Sequence, residues 1–254
     1  MLAVERIRLI QCALQEEKQV SVSALSARFQ VSEETIRRDL EKITKTDPTI
    51  VRVHGGAYKA EVFDSEMPVQ LRETLSVDRK KAIADNCIPL IHVNDTIMLD
   101  CSTTALYLAM LIRQRGFSVT VITNSLRIVE VLQDCDQIKL ILVGGLFRKN
   151  TQSFIGYDAT AMLARYHADR CFISCTGIDV KFGVTDNSEY ESHVRQTMMQ
   201  CSKERFLLAD AYKFGRSFLS KMAVPSDFDA IISDVQPSSE WLVHLEALHT
   251  RLIC

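Results

Sequence analysis

The chain has 254 residues, of which 47% are hydrophobic and 24% charged, with a formal net charge of −2. That is an ordinary globular composition, long enough for one large domain or for a small one joined to a larger one. No global basic field is present, so any nucleic-acid surface has to be local. Residues 1–60 carry ten Lys and Arg against eight Asp and Glu, which permits such a surface at the amino end.

The opening MLAVERIRLIQ has no apolar signal core, and no window approaches 18 uninterrupted apolar residues. A cytoplasmic protein without membrane contact is expected. Eight cysteines are scattered, Cys12, Cys87, Cys171 and Cys201 among them, with no CxxC and no histidine at zinc spacing. They read as reduced core residues, and neither metal nor cofactor is expected.

Along the chain, Val4, Ile7, Ile10 and Leu14 repeat at helical spacing. Ser21 precedes Val22, Leu25 and Phe29, and Ser32 precedes Ile36, Leu40 and Ile43, so two further helices each open on a serine cap. Only Gln30 and Val31 separate them, which is turn length for a helix-turn-helix. Thr49–Val53 alternates β-branched residues into His54-Gly55-Gly56, as a small wing does. All nine glycines fall at or after Gly55, a composition break that closes the helical head. The expected boundaries are 1–58 for a winged helix-turn-helix, 59–76 for a polar linker and 77–254 for a second domain.

In that second domain helical stretches alternate with short buried strands at 96–99, 119–123, 138–143, 170–174, 205–209 and 230–233. Such alternation predicts an α/β fold with a mostly parallel, Rossmann-like sheet covered on both faces.

The first exposed side chains of a recognition helix decide DNA contact. Arg37 and Arg38 offer planar donor forks for guanine edges or phosphates, and Ser21, Ser32 and Thr35 are short hydroxyl donors. Glu33 and Glu34 favour the helix dipole or accept from cytosine. Equally, these arginines can be a solvated face balanced by Glu33, Glu34 and Asp39. Arg52 and His54 would act from the wing.

In open parallel sheets ligands bind beyond the carboxyl ends of the strands. There the chain places Asp100, Ser102, Thr103 and Thr104, then Asn124 and Ser125, Gly144 and Gly145, Asp179, and Lys213. Ser102–Thr104 and Ser125 open helices, where free N–H groups cradle phosphate. Asp100, Asp179 and Glu189 can accept from sugar hydroxyls, and Lys213 or Arg195 can neutralise the phosphate. Taken singly, each is an ordinary cap or turn residue.

VSEETIRRDLEKI followed by RVHGGA, within SVSALSARFQVSEETIRRDL, resembles the signature of DeoR-family transcriptional regulators. DCSTT, TNS, GG, GID, Glu189 and DAYKFG are similar to recurrent features of that family's effector domains, which resemble ribose-5-phosphate isomerase. The resemblance implies double-stranded operator DNA and a phosphorylated sugar as partners, a homo-oligomer (dimer or tetramer), and repression of a carbohydrate operon relieved by the sugar. Departures are Glu17-Lys18-Gln19 where the family commonly has a glycine, Thr44–Pro48 in place of Glu-x-x-Gly, Cys101 for serine or glycine, and Arg195 for lysine. The competing reading is a sugar-phosphate isomerase with an accessory head, with Glu189, Asp179 and Lys213 as its acid and base groups.

Overall fold

A computed structural model describes residues 2–17, 19–47, 50–53, 55–59 and 68–254. The chain divides into two compact units, one ending at Ser76 and one spanning Val77–Cys254.

The amino-terminal unit begins with α1 (Ala3–Glu17), β1 (Gln19–Ser21), α2 (Val22–Phe29) and α3 (Glu33–Thr46). Ser21 Oγ accepts from the Ala24 N–H at 3.1 Å and Ser32 Oγ from the Thr35 N–H at 3.3 Å, so both serines cap their helices. The turn between α2 and α3 is closed by Ser26, whose carbonyl accepts from the Gln30 and Val31 N–H groups while its hydroxyl donates to the Val31 carbonyl. Strands β2 (Ile50–Val53) and β3 (Gly56–Lys59) form an antiparallel wing that adds β1 in the order β1-β3-β2. Gly56 permits this approach, since a Cβ there would lie 2.0 Å from the Val20 carbonyl oxygen. Ile10, Leu14, Leu25, Ile36, Leu40 and Ile43 are buried together, each such side chain contributing about 1.5–3 kcal/mol of burial. Val4, expected on the inner stripe of α1, is 81% exposed, and the inward position goes to Arg6. Cys12 is likewise exposed rather than in the core. A short helix, α4 (Val69–Thr74), lies within the segment expected to be a linker.

The carboxy-terminal unit contains α5 (Val77–Cys87), β4 (Thr96–Leu99), α6 (Thr103–Arg115), β5 (Val119–Thr123), α7 (Leu126–Leu132) and β6 (Ile138–Leu142). A hairpin of β7 (Leu146–Arg148) and β8 (Ser153–Ile155) leads into α8 (Tyr157–Leu163) and β9 (Ala168–Ser174). Then come β10 (Gly177–Asp179), β11 (Gly183–Asp186), α9 (Glu189–Gln200), β12 (Ser202–Leu208), β13 (Ser220–Ala223), β14 (Ala230–Ile232), α10 (Ser239–Ala247) and β15 (Arg251–Ile253). Seven strands form one sheet in the order β15-β14-β12-β9-β4-β5-β6, every neighbouring pair parallel.

Alternation along the strands divides the apolar side chains between two faces. Met98, Ile122, Cys171 and Leu207 pack with Val194 and Trp241 of α9 and α10, while Ile97, Val121, Phe172 and Phe206 pack with Ile83 and Leu106 of α5 and α6. The mostly parallel α/β architecture expected from the strand spacing is therefore present. Three features were not anticipated: the edge strand β15, the β7–β8 hairpin, and an antiparallel sheet in the order β10-β11-β13. All are built from strands of three or four residues, too short to show a period.

Chain order in the large sheet runs outward from β4 in one direction through β5 and β6, and in the other through β9, β12, β14 and β15. The reversal lies between β4 and β9. That is where an open α/β sheet has its crevice.

Candidate functional site

In the head, Ser32, Glu33, Glu34, Arg37 and Arg38 are all exposed at the start of α3, with Thr35 half-buried beside its cap Ser32. Arg37 pairs with Glu33 at 2.8 Å and Arg38 with Glu34 at 3.5 Å, one helical turn apart in each case. Such exposed pairs are worth about 0.3–0.5 kcal/mol, so either guanidinium can leave its glutamate for another acceptor at little cost. Ser21 is exposed at the start of α2. Arg52 is exposed on β2 and faces α3, where its charge, after the hydrogen bond and charge of Lys45, helps to hold the Glu41 carboxyl below its usual range. His54 lies outside the described residues. Asp39, expected among the surface charges, is instead buried and bound to Arg6 Nε at 2.5 Å.

In the second unit the switch point is built around Asp100. Register sets it beside Asn124, because Leu99 pairs with Thr123. Its Oδ1 accepts from the Ser102 N–H (3.1 Å), and its Oδ2 from the Ser174 N–H (3.0 Å) and Arg195 Nε (2.6 Å). Arg195 continues to Asp186 at 2.5 Å and approaches Glu191 at 3.7 Å, and Glu191 lies 3.0 Å from Arg148. Burial is the largest influence on Asp100 and opposes its ionisation. The Arg195 charge and the hydrogen bonds from Ser102, Ser174 and Arg195 together outweigh it, holding the carboxyl below its usual range. Burial likewise opposes the Arg195 charge, and Asp186, Asp100 and Glu191 overcome it.

This alters two expected roles. Arg195 is 5% exposed with its guanidinium occupied by three carboxylates, so it is not a spare cation for phosphate, and Asp100, 1% exposed, already accepts from three donors. Both are buried beside the strand-order reversal.

The cation in a different position is Lys213, just after β12. Its Nζ donates to Ser174 Oγ at 2.6 Å and to the Cys175 carbonyl at 2.7 Å, both neutral oxygens. Ser174 thereby joins Lys213 to Asp100. Ser102 caps α6 through the Ala105 N–H, and Thr103 and Thr104 are buried in its first turn. Asn124 Nδ2 donates to the Phe154 carbonyl, while its buried Oδ1 has no hydrogen-bond partner among the described residues. Ser125 caps α7 through the Ile128 N–H. A Cβ on Gly144 would meet nothing, whereas one on Gly145, at φ +149°, would strike the Ile155 carbonyl oxygen at 2.7 Å.

Two expected residues stand apart from this cluster. Asp179 accepts from the Lys181 and Phe182 N–H groups and so shapes the β10–β11 turn, and Glu189 is exposed on the first turn of α9. The acid that α9 turns inward is Glu191. Its signal was the pattern Ser188-x-x-Glu191 with Arg195 one turn later, which reads as a plain capping box. Asp186 and Arg148 were also missed, since each ends a strand of three or four residues, and Ser174 was missed as the last residue of the longer strand β9. Cys101, between Asp100 and Ser102, has its thiol pushed up to about 12, by burial first and then by Glu191, and is no nucleophile at neutral pH.

An exposed recognition helix with a wing, followed by a doubly wound domain with a polar crevice, defines a DNA-binding regulator with a ligand-sensing domain. Residues 6–62 match the DeoR-like helix-turn-helix domain, and residues 75–235 match the DeoR C terminal sensor domain. The chain belongs to the DeoR family of transcriptional regulators. It is 37% identical to the uncharacterized HTH-type transcriptional regulator YulB of Bacillus subtilis, over 92% of this chain and 90% of that one. It is 32% identical to a putative aga operon transcriptional repressor of Escherichia coli O157:H7 (91% and 86%) and 31% identical to the L-fucose operon activator of Haemophilus influenzae (90% and 91%). Among the described residues no helix is long and apolar enough to cross a membrane.

Proposed function

We propose that this protein is a repressor of a carbohydrate operon, acting in the cytoplasm as a homo-oligomer, dimer or tetramer, and released from operator DNA by a phosphorylated sugar. The relatives named for the aga and L-fucose operons support a carbohydrate target. In this reading residues 1–58 read DNA through Ser21, Ser32, Glu34, Thr35, Arg37, Arg38, Arg52 and His54. Residues 59–76 connect, and 77–254 sense.

The observation that carries the sensing half is Lys213, a cation held only by neutral oxygens among its described partners, at the strand-order reversal where α6 begins. Phosphate takes Lys213 together with the free N–H groups of the α6 first turn, and the unpartnered Asn124 Oδ1 accepts from a sugar hydroxyl. Release follows by linkage: the ligand binds better to the form with poor DNA affinity, and its preference between the two forms sets the size of the effect.

The test is a mobility-shift assay on sheared genomic DNA with a panel of sugar phosphates and the matching unphosphorylated sugars. Release by one phosphorylated sugar and not by its free sugar is the expected result. No sequence-preferring binding at low salt, or equal release by both sugars, defeats the proposal.

A further inference from the structure

We infer that the buried Arg6–Asp39 pair is a positioning device for the recognition helix, setting the orientation from which Arg37 and Arg38 meet DNA. The inference rests on the operator-reading role of α3.

The other described ion pairs of the head lie in solvent: Arg28–Glu17, Arg37–Glu33, Arg37–Glu34, Arg38–Glu34 and Lys45–Glu41. Arg6 and Asp39 differ, with side chains 8% and 4% exposed and Nε 2.5 Å from Oδ2. The pair joins α1 to α3 across 33 residues of sequence.

Stability does not account for it. Removing two charges from water costs about as much as their attraction returns, and well-packed apolar residues at such positions are commonly neutral or better. Ile36, Leu40 and Ile43 already supply α3 with an apolar inner face. On α1 the pattern is even inverted, Val4 standing in solvent while Arg6 is buried. A local rule broken in a well-packed unit points to a functional constraint.

What a charged hydrogen bond has and an apolar contact lacks is direction. Leucine against isoleucine tolerates a small slide or roll of one helix on another; a guanidinium on a carboxylate holds distance and angle. Asp39 is the next residue after Arg38. At 3.6 residues per turn, the angle at which Asp39 faces α1 also sets the angle at which Arg37 and Arg38 face outward. Base discrimination depends on paired donors meeting two acceptors at once, so it is lost by a small roll that general phosphate attraction survives.

The experiment uses the full-length chain and two DNA probes: a duplex enriched by the wild-type protein from a randomised pool, and a scrambled duplex of equal length. In the double variant Arg6→Met, Asp39→Leu, a melting temperature at or above wild type is expected, with scrambled-duplex affinity and salt dependence unchanged. The ratio of enriched to scrambled affinity is expected to fall roughly five- to a hundredfold, the equivalent of one lost base contact. Arg6→Lys keeps the charge and loses the fork, and is expected to give a smaller fall in the same ratio. An unchanged ratio in a folded double variant overturns the inference. If the double variant does not fold, an unchanged ratio in Arg6→Lys overturns it instead.

Discussion

Two groups of arginines and acids, one in each unit, are built oppositely. On α3, Arg37 and Arg38 pair with glutamates on the exposed surface, where pairing is weak and partners exchange readily. In the crevice, Arg195 is enclosed by Asp100, Asp186 and Glu191, where no exchange is possible without uncovering a charge. The first arrangement suits a surface that trades its own acids for DNA. The second is framework, and in the proposed function it supports the ligand site.

The largest effect that can break this contrast is expected at Arg195. Arg195→Met leaves three buried carboxylates without their shared cation and should cost about 3–5 kcal/mol, read as a large fall in the melting temperature of the second unit. The pH dependence should also change sign. In the wild type the Asp100 carboxyl is held low, so its contribution is present above its unfolded value of about 3.9 and is lost as pH falls through the folded one. Without Arg195 burial raises the Asp100 carboxyl instead, and the variant should gain stability as pH is lowered from 7 towards 4. Parallel pH profiles for variant and wild type would remove Arg195 from the framework.

Next in size is Lys213→Met. Because its ammonium sits on neutral oxygens, its loss leaves no orphaned carboxylate among its described partners, and the fold should be little changed. Calorimetric titration with an inducing sugar phosphate should show affinity lower by about a hundredfold, near 3 kcal/mol for a charge-assisted contact. DNA binding without ligand should stay intact. Undiminished ligand affinity would move the phosphate site away from the crevice.

A smaller effect is expected at the exposed pairs. Arg38→Ala should cost about 1–3 kcal/mol of operator affinity if it reads a base, or lower the salt slope by about 1 if it holds a phosphate, with stability changed by less than about 0.5 kcal/mol. Anisotropy titrations across a salt series separate the two. A stability loss comparable to that of Arg195→Met would erase the distinction between the groups.

The same contrast explains what was legible in the sequence. Strands such as 96–99 and 119–123 announced themselves as short runs of apolar and β-branched residues, and the polar residues after them marked the rim. The α3 surface was legible because caps and period fix which side chains face outward. What sequence could not supply was partnership across distance: Asp39 reads as one more surface acid until Arg6, 33 residues away, is seen against it. Arg195 read as a candidate phosphate cation because Asp100 and Asp186 reach it only through folding, and Glu191 went unread because spacing on α9 does not say which acid turns inward.

The smallest expected effect concerns how each unit ends a helix. In the second unit α6 closes on Gly116 at φ +68°, a left-handed position that glycine occupies without strain. In the head, α2 closes on Gln30 at φ +53°, in the same region but with a Cβ. Gln30 reaches it because the Ser26 carbonyl accepts its N–H and that of Val31, so the turn geometry is imposed by its neighbours. Left-handed backbone costs a non-glycine residue about 1 kcal/mol or more, part of which glycine returns as extra freedom in the unfolded chain. Gln30→Gly should therefore stabilise the head by about 0.5 kcal/mol in denaturant melts and leave operator affinity unchanged, since the angle between α2 and α3 is set by Ser26 and the core. Destabilisation, or a shift in affinity at constant stability, would mean that the Gln30 side chain itself takes part in holding α3 on DNA.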